Sequence, residues 1–135
     1  MAYGIDELEG IGAAYAEKLG SAGIKDTDDL LSVCGSADGR AKTAEKAGVS
    51  EKRLLSWVNL ADLMRISGIG PQYSELLEAA GVDTVKELRT RNAANLAAKL
   101  AEVNGEKKLA KSVPSESVVQ GWIDAAKGVE PRVTH

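Results

Sequence analysis

The chain has 135 residues, with 17 Lys+Arg, 20 Asp+Glu and one His, for a formal charge of −3 at pH 7. Its 44% hydrophobic and 27% charged content is that of a globular domain, too short for a Rossmann enzyme or a barrel. Phe is absent, so Ala, Leu and Val must build the core, which favours small, closely packed helices.

In chain order, Leu8-Glu9-Gly10-Ile11-Gly12 precedes a helix over Ala13–Ala22, which Gly23 ends where a left-handed residue is wanted. Asp26 or Thr27 caps a second helix running to about Val33. Helices follow near Gly39–Ala47 and, capped by Ser50, over Glu51–Asp62. Ile66-Ser67-Gly68-Ile69-Gly70 then leads to a helix opened by Pro71 and stopped by Gly81. Thr84 caps the next helix, the Ala-rich run around Asn92–Ala98 favours another, and Ser115 caps the last. Nothing alternates with period two, so the expected fold is all-α, with about nine or ten helices.

The chain also repeats itself. At a shift of 58, Gly10–Leu30 matches Gly68–Leu88 at nine of 21 positions, including both Gly-Ile-Gly triplets, Tyr15/Tyr73 and Gly23/Gly81. A second block, at a shift of 65, pairs Lys42/Lys107, Lys46/Lys111, Ser50/Ser115, Trp57/Trp122 and Ala61/Ala126. The second copy therefore holds seven extra residues between Leu88 and Lys107. The reading is two duplicated units, residues 1–63 and 64–135, packed as one molecule. Charge divides unevenly between them: Met1–Leu63 has seven basic and eleven acidic residues, whereas Met64–His135 has ten and nine. A polyanion should prefer the second unit.

Two glycines around one aliphatic residue make a tight connection, with the Ile plugging the core and the Gly allowing positive φ. Such a turn aims unpaired backbone N–H groups outward at the start of the next helix, a ready site for an anion. With these motifs, the stretch Ile5–Lys127 resembles the helix-hairpin-helix (SAM-like) family. It is similar to the N-terminal domains of archaeal and eukaryotic Rad-type recombinases and to a bacterial double helix-hairpin-helix family without assigned function. Ala47-Gly48-Val49-Ser50 and Ser112-Val113-Pro114-Ser115 would be the degenerate second hairpins.

The resemblance implies sequence-nonspecific binding of DNA backbone phosphates by Gly10, Ile11, Gly12, Gly68, Ile69 and Gly70. Family members that bind DNA commonly place a basic residue after the hairpin, whereas Ala13 and Ala14 stand here, with Glu9 inside the first turn. The first hairpin thus reads mainly as a structural turn. At the second, Ser67 replaces Glu9, with Arg65 just before, Gln72 just after, and Lys86, Arg89 and Arg91 on or near the next helix. Nucleic acid would bind there through a few Lys/Arg, weakly and in a salt-sensitive way.

Trp57 and Trp122 read as core anchors, and Tyr15 and Tyr73 as packed against the hairpins with their hydroxyls at the rim. Lys107, Lys108 and Lys111 read as a solvated helix face. His135 is the sole imidazole and the last residue, so no Ser or Cys nucleophile has its usual activator. The Lys-plus-Asp chemistry of the family's glycosylases could be sought in Lys18 or Lys25 with Asp28 or Asp29, but that pocket needs a larger domain. The expectation is a binding protein without catalytic residues, metal or cofactor. The rival is a protein–protein interaction adaptor using the acidic first unit, its hairpins only structural. Hairpin carbonyls holding a monovalent cation, as in some family members, is a third reading.

Cys34 stands alone, which excludes an intramolecular disulfide and a cysteine metal cluster. Together with the lack of a signal segment or long apolar run, it suggests a reducing, cytoplasmic setting and no membrane partner.

Overall fold

A computed structural model describes residues 3–134. Eight α-helices are present among them: α1 Ala13–Ser21, α2 Thr27–Cys34, α3 Ala37–Ala47, α4 Glu51–Leu63, α5 Pro71–Ala79, α6 Val85–Leu88, α7 Ala93–Lys107 and α8 Glu116–Lys127. One turn of 3-10 helix, Ile5–Glu7, precedes them, and the described residues hold no strand, only an isolated bridge between Gly4 and Asp26. The fold is all-α. No helix of the described residues is long and apolar enough to cross a membrane. His135 lies outside the described residues.

Local chemistry sets most helix limits. The side chains of Asp26, Ser36, Ser50, Thr84, Asn92 and Ser115 each accept from a first-turn amide of the helix they precede. Ser36 moves the start of α3 to Ala37, two residues before the Gly39 that the sequence suggested. Gly23 and Gly81 take φ of +86° and +94° after α1 and α5, and the next amides, of Ile24 and Val82, reach back to Leu19 and Leu77. That is the closure in which a left-handed glycine satisfies the last carbonyls of a helix. The extra residues of the second half lengthen a helix: α7 runs without a break from Ala93 to Lys107.

Two buried clusters hold the helices together. The first takes Leu8, Ile11, Leu19, Ile24, Leu30, Leu54 and Trp57, and the second takes Ile66, Ile69, Leu76, Leu77, Val82, Leu88 and Trp122. They interleave at the end of α4, where Leu63 belongs to the second cluster and Met64 to the first. Trp57 and Trp122 are each 4% exposed, as core anchors should be.

The halves fix their second helix by different means. The first amide of α2, of Thr27, donates to the carbonyl of Tyr3, and the Tyr3 amide donates to Thr27 Oγ1. The first amide of α6, of Val85, donates instead to Asp62 Oδ2 (2.9 Å), while Asp62 Oδ1 accepts from Arg65 Nη1 (2.7 Å). Asp62 is 1% exposed, so an amide and a guanidinium together compensate its buried charge.

The chain ends its described course on the first half. Val133 packs into the first cluster, and the Thr134 amide donates to the carbonyl of Gly35 (2.8 Å).

Candidate anion site at two uncapped helix starts

Both Gly-Ile-Gly triplets close the same turn. The Ile11 amide donates to the Leu8 carbonyl (3.2 Å), and the Ile69 amide to that of Ile66 (3.0 Å). Gly10 and Gly68 take φ of +87° and +95°, which the third position of a type II turn requires. Ile11 and Ile69 are buried beneath. Each Trp reaches the underside of its turn: a Cβ on Gly10 would lie 3.6 Å from Trp57 Nε1, and one on Gly68 would lie 3.2 Å from Trp122 Nε1. Tyr15 meets Trp57 at 5.1 Å between ring centroids, and Tyr73 meets Trp122 at 5.2 Å.

The second glycine of each triplet does something different from what the sequence suggested. Gly12 and Gly70 have φ of −88° and −97°, ordinary extended backbone that any residue adopts. They are the N-caps of α1 and α5, and neither offers a capping side chain. A Cβ on Gly12 would meet nothing within 4 Å, and one on Gly70 only the Tyr3 hydroxyl, at 4.0 Å. Neither backbone strain nor packing therefore demands glycine there. What glycine does provide is an open approach to the helix start.

The amides behind that opening have no partner among the described residues. In α1 they belong to Ala13, Ala14 and Tyr15, the first internal bond being from Ala16 to Gly12. In α5 Pro71 has no N–H, so Gln72 and Tyr73 supply two, before Ser74 donates to Gly70. The other six α-helices have a side chain on one first-turn amide; these two alone, among the described residues, lack a side-chain cap at the positive end of the helix dipole.

Of the side chains singled out around the second turn, Gln72 and Lys86 are exposed and Arg89 is half-buried. Arg65 is held by Asp62, largely covered, rather than extended toward solvent. Arg91 bridges Glu87 (2.7 Å) and donates to the Gly81 carbonyl (3.0 Å), so it ties the end of α5 to α6. The Tyr73 hydroxyl lies 3.1 Å from Ser112 Oγ, at the rim. Lys107, Lys108 and Lys111 are exposed at the end of α7 and just past it.

Two cations face the Tyr15 ring: Lys18, which the sequence offered only in a catalytic role, and Arg53, which it did not single out. Lys18 Nζ lies 5.7 Å and the Arg53 guanidinium 5.3 Å from the centroid of the Tyr15 ring. Arg53 comes from α4, some forty residues later, and no local spacing announces that meeting. Carboxylates also converge. Burial pushes Glu75 of α5 above the ordinary carboxylate range, and the charge of Glu9, from the first turn, adds to this. Burial raises Glu78 too, opposed by its hydrogen bond from Ser56 and reinforced by Asp83 and Glu75. No group of three or more His, Cys, Asp or Glu residues among the described residues could hold a metal ion.

A family model described as a domain of unknown function (DUF4332) matches residues 9–129. No curated protein matches the chain, and no solved structure does.

Proposed function

We propose that this chain, which belongs to the DUF4332 family, is a non-enzymatic binding protein that holds nucleic-acid backbone phosphates at the starts of α1 and α5. In this reading the two halves are duplicated helix-hairpin-helix units, like those of the Rad-type recombinases. Gly10–Gly12 and Gly68–Gly70 are then their first hairpins. One observation carries the reading: the two helices after the Gly-Ile-Gly turns have a small, uncrowded glycine and free amides where every other α-helix described has a capping side chain. Free amides at a helix start suit a phosphate oxygen and read no base, so binding would tolerate any sequence.

The second turn is the main contact, because no carboxylate lies within it, Ser67 and Gln72 are exposed beside it, and α6 of the same half offers the exposed Lys86. The first contributes through Lys18 and Arg53, against the repulsion of Glu9. Two or three neutralised phosphates give a log affinity that falls with log salt at a slope of about −2 to −3. The test is a fluorescence-anisotropy titration with a short labelled duplex and a single strand, at low and physiological salt. Gly70→Glu should abolish most binding and Gly12→Glu a smaller part, both with the helical circular dichroism retained. Affinity indifferent to salt, or unchanged in both variants, would sink the proposal.

A second reading draws on the carboxylates of Glu75 and Glu78, whose proton affinity is raised by burial first and then by neighbouring Glu9 and Asp83. Such a group suits a cationic protein surface and repels DNA, and it supports the adaptor reading. No duplex binding even at low salt would favour it.

A further inference from the structure

We infer that residues Arg132–Thr134 form a releasable clasp between the two halves, with the buried Arg40 of α3 as its catch. The segment leaves α8 of the second half and lies across the end of α2 in the first. Five contacts hold it. Val133 is buried in the first cluster, and the Thr134 amide donates to the Gly35 carbonyl (2.8 Å). Arg132 Nη2 donates to Ser32 Oγ (2.9 Å), with Nη1 3.9 Å from Asp28. Arg40 Nη2 donates to the Thr134 carbonyl at 2.5 Å.

Arg40 makes this more than a tail at rest. Its side chain is 5% exposed, and its acceptors among the described residues are main-chain carbonyls: Cys34 (3.1 Å), Gly35 (2.9 Å) and Thr134. The first two close α2, where a cation meets the negative end of the helix dipole. The third belongs to the clasp, so one guanidinium fastens it to the helix end. Gly35 makes the seat: a Cβ there would lie 2.4 Å from the Arg132 carbonyl and 2.5 Å from the Leu31 carbonyl of α2, so both the helix end and the clasp need glycine. The seat is built for main chain, which the Arg40 guanidinium and the Gly35 carbonyl hold by its peptide groups.

The clasp is also small. One apolar side chain and a few hydrogen bonds place its opening among the low-energy local motions of a fold, well below global unfolding. Opening frees the Gly35 carbonyl and withdraws Val133 from the cluster that also holds the adjoining, wholly buried Cys34. Burial pushes the Cys34 thiol up, against the hydrogen bond with Thr43 and the charge of Arg40, so the closed state should react slowly. As the sole thiol of the chain, Cys34 reports on the clasp without an added label.

The experiment is the rate of Cys34 modification by a chromogenic disulfide reagent in the full chain, against urea, at constant pH. Val133→Asp puts a charge in the cluster and should expel the clasp. Labelling should then accelerate by about tenfold or more, with little urea dependence and the helical signal intact. Thr134→Pro removes the amide donated to Gly35, its ring also restricting Val133, and should give a smaller acceleration. It also decides the matter where Val133→Asp fails to fold. The inference is overturned if Thr134→Pro labels at the wild-type rate, or if labelling in every form follows the urea dependence of global unfolding. Neither result bears on phosphate binding, because the clasp stands apart from that reading.

Discussion

The two Gly-Ile-Gly turns share a backbone and differ in what surrounds it. Each has a left-handed first glycine, a buried isoleucine, a tryptophan underneath and a tyrosine on that tryptophan. Around the first, Lys18 and Arg53 face the Tyr15 ring and Glu9 sits in the turn. Around the second, Pro71 removes a donor, Tyr73 meets Ser112, and Asp62 takes up Arg65. The turn is thus a property of the glycines and the core, whereas its electrostatics come from the residues around it, some local (Glu9, Lys18) and some, like Arg53, from another helix. Two copies of one motif can keep the same geometry and diverge in charge.

Substitutions can separate what is shared from what is not. The largest effect should come from the shared support: Trp57→Ala and Trp122→Ala should each lose about 3–5 kcal/mol in urea denaturation, and by similar amounts. A large disparity would mean that the turns do not rest equally on their tryptophans. Next is Asp62→Ala, which strands the Val85 amide and Arg65 in the second half only. A loss of about 3 kcal/mol is expected, because removing one partner leaves the others buried and unpaired. The first half has no such side chain to remove, since the carbonyl of Tyr3 does that work.

Gly10→Ala and Gly68→Ala each force a Cβ onto a left-handed residue and should cost about 1–2 kcal/mol. Gly68→Ala should be the worse, because its Cβ would lie 3.2 Å rather than 3.6 Å from the indole nitrogen. Equal melting temperatures for the pair would show that the indole gives way. Gly12→Ala, with an ordinary φ and open space, should change stability by only a few tenths of a kcal/mol.

The smallest effect concerns pH. Glu75 and Glu78 have raised affinities for protons in the fold, so their ionisation opposes folding. Their contribution is most favourable below the ordinary carboxylate range and is lost as pH rises through their elevated values. Glu78→Gln should therefore be modestly stabilising at neutral pH and lose that advantage on acidification. Thermal melts of both proteins across that range check the sign, and a variant less stable at neutral pH would reverse it.

The fold is legible in the sequence where the physics is local. Caps at Asp26, Ser50, Thr84 and Ser115, Pro71 at a helix start, and left-handed Gly23 and Gly81 are decided within a few residues, and they place most helix limits. The 3-10 turn at Ile5–Glu7 has a weaker signal, since its surroundings are set by Lys25 and Thr27. At the candidate site, the turns were legible and their neighbours were not. Arg65 looks free in sequence, yet Asp62 lies three residues before it on the same buried helical edge. Arg53 beside Tyr15, Glu9 beside Glu75 and Arg40 at Thr134 join residues tens of positions apart, which no spacing rule encodes.

Leu63 and Met64 are neighbours in the chain that point into opposite clusters. A cut at that peptide bond, the natural place to divide the repeat, would leave each fragment holding a plug that the other needs. The halves are therefore poor candidates for independent folding despite their similarity. Heat should melt them together, as a single calorimetric peak whose van't Hoff and calorimetric enthalpies agree. The seam between the two clusters lies at the end of a helix and not between two surfaces, so one thermodynamic unit is the expected result.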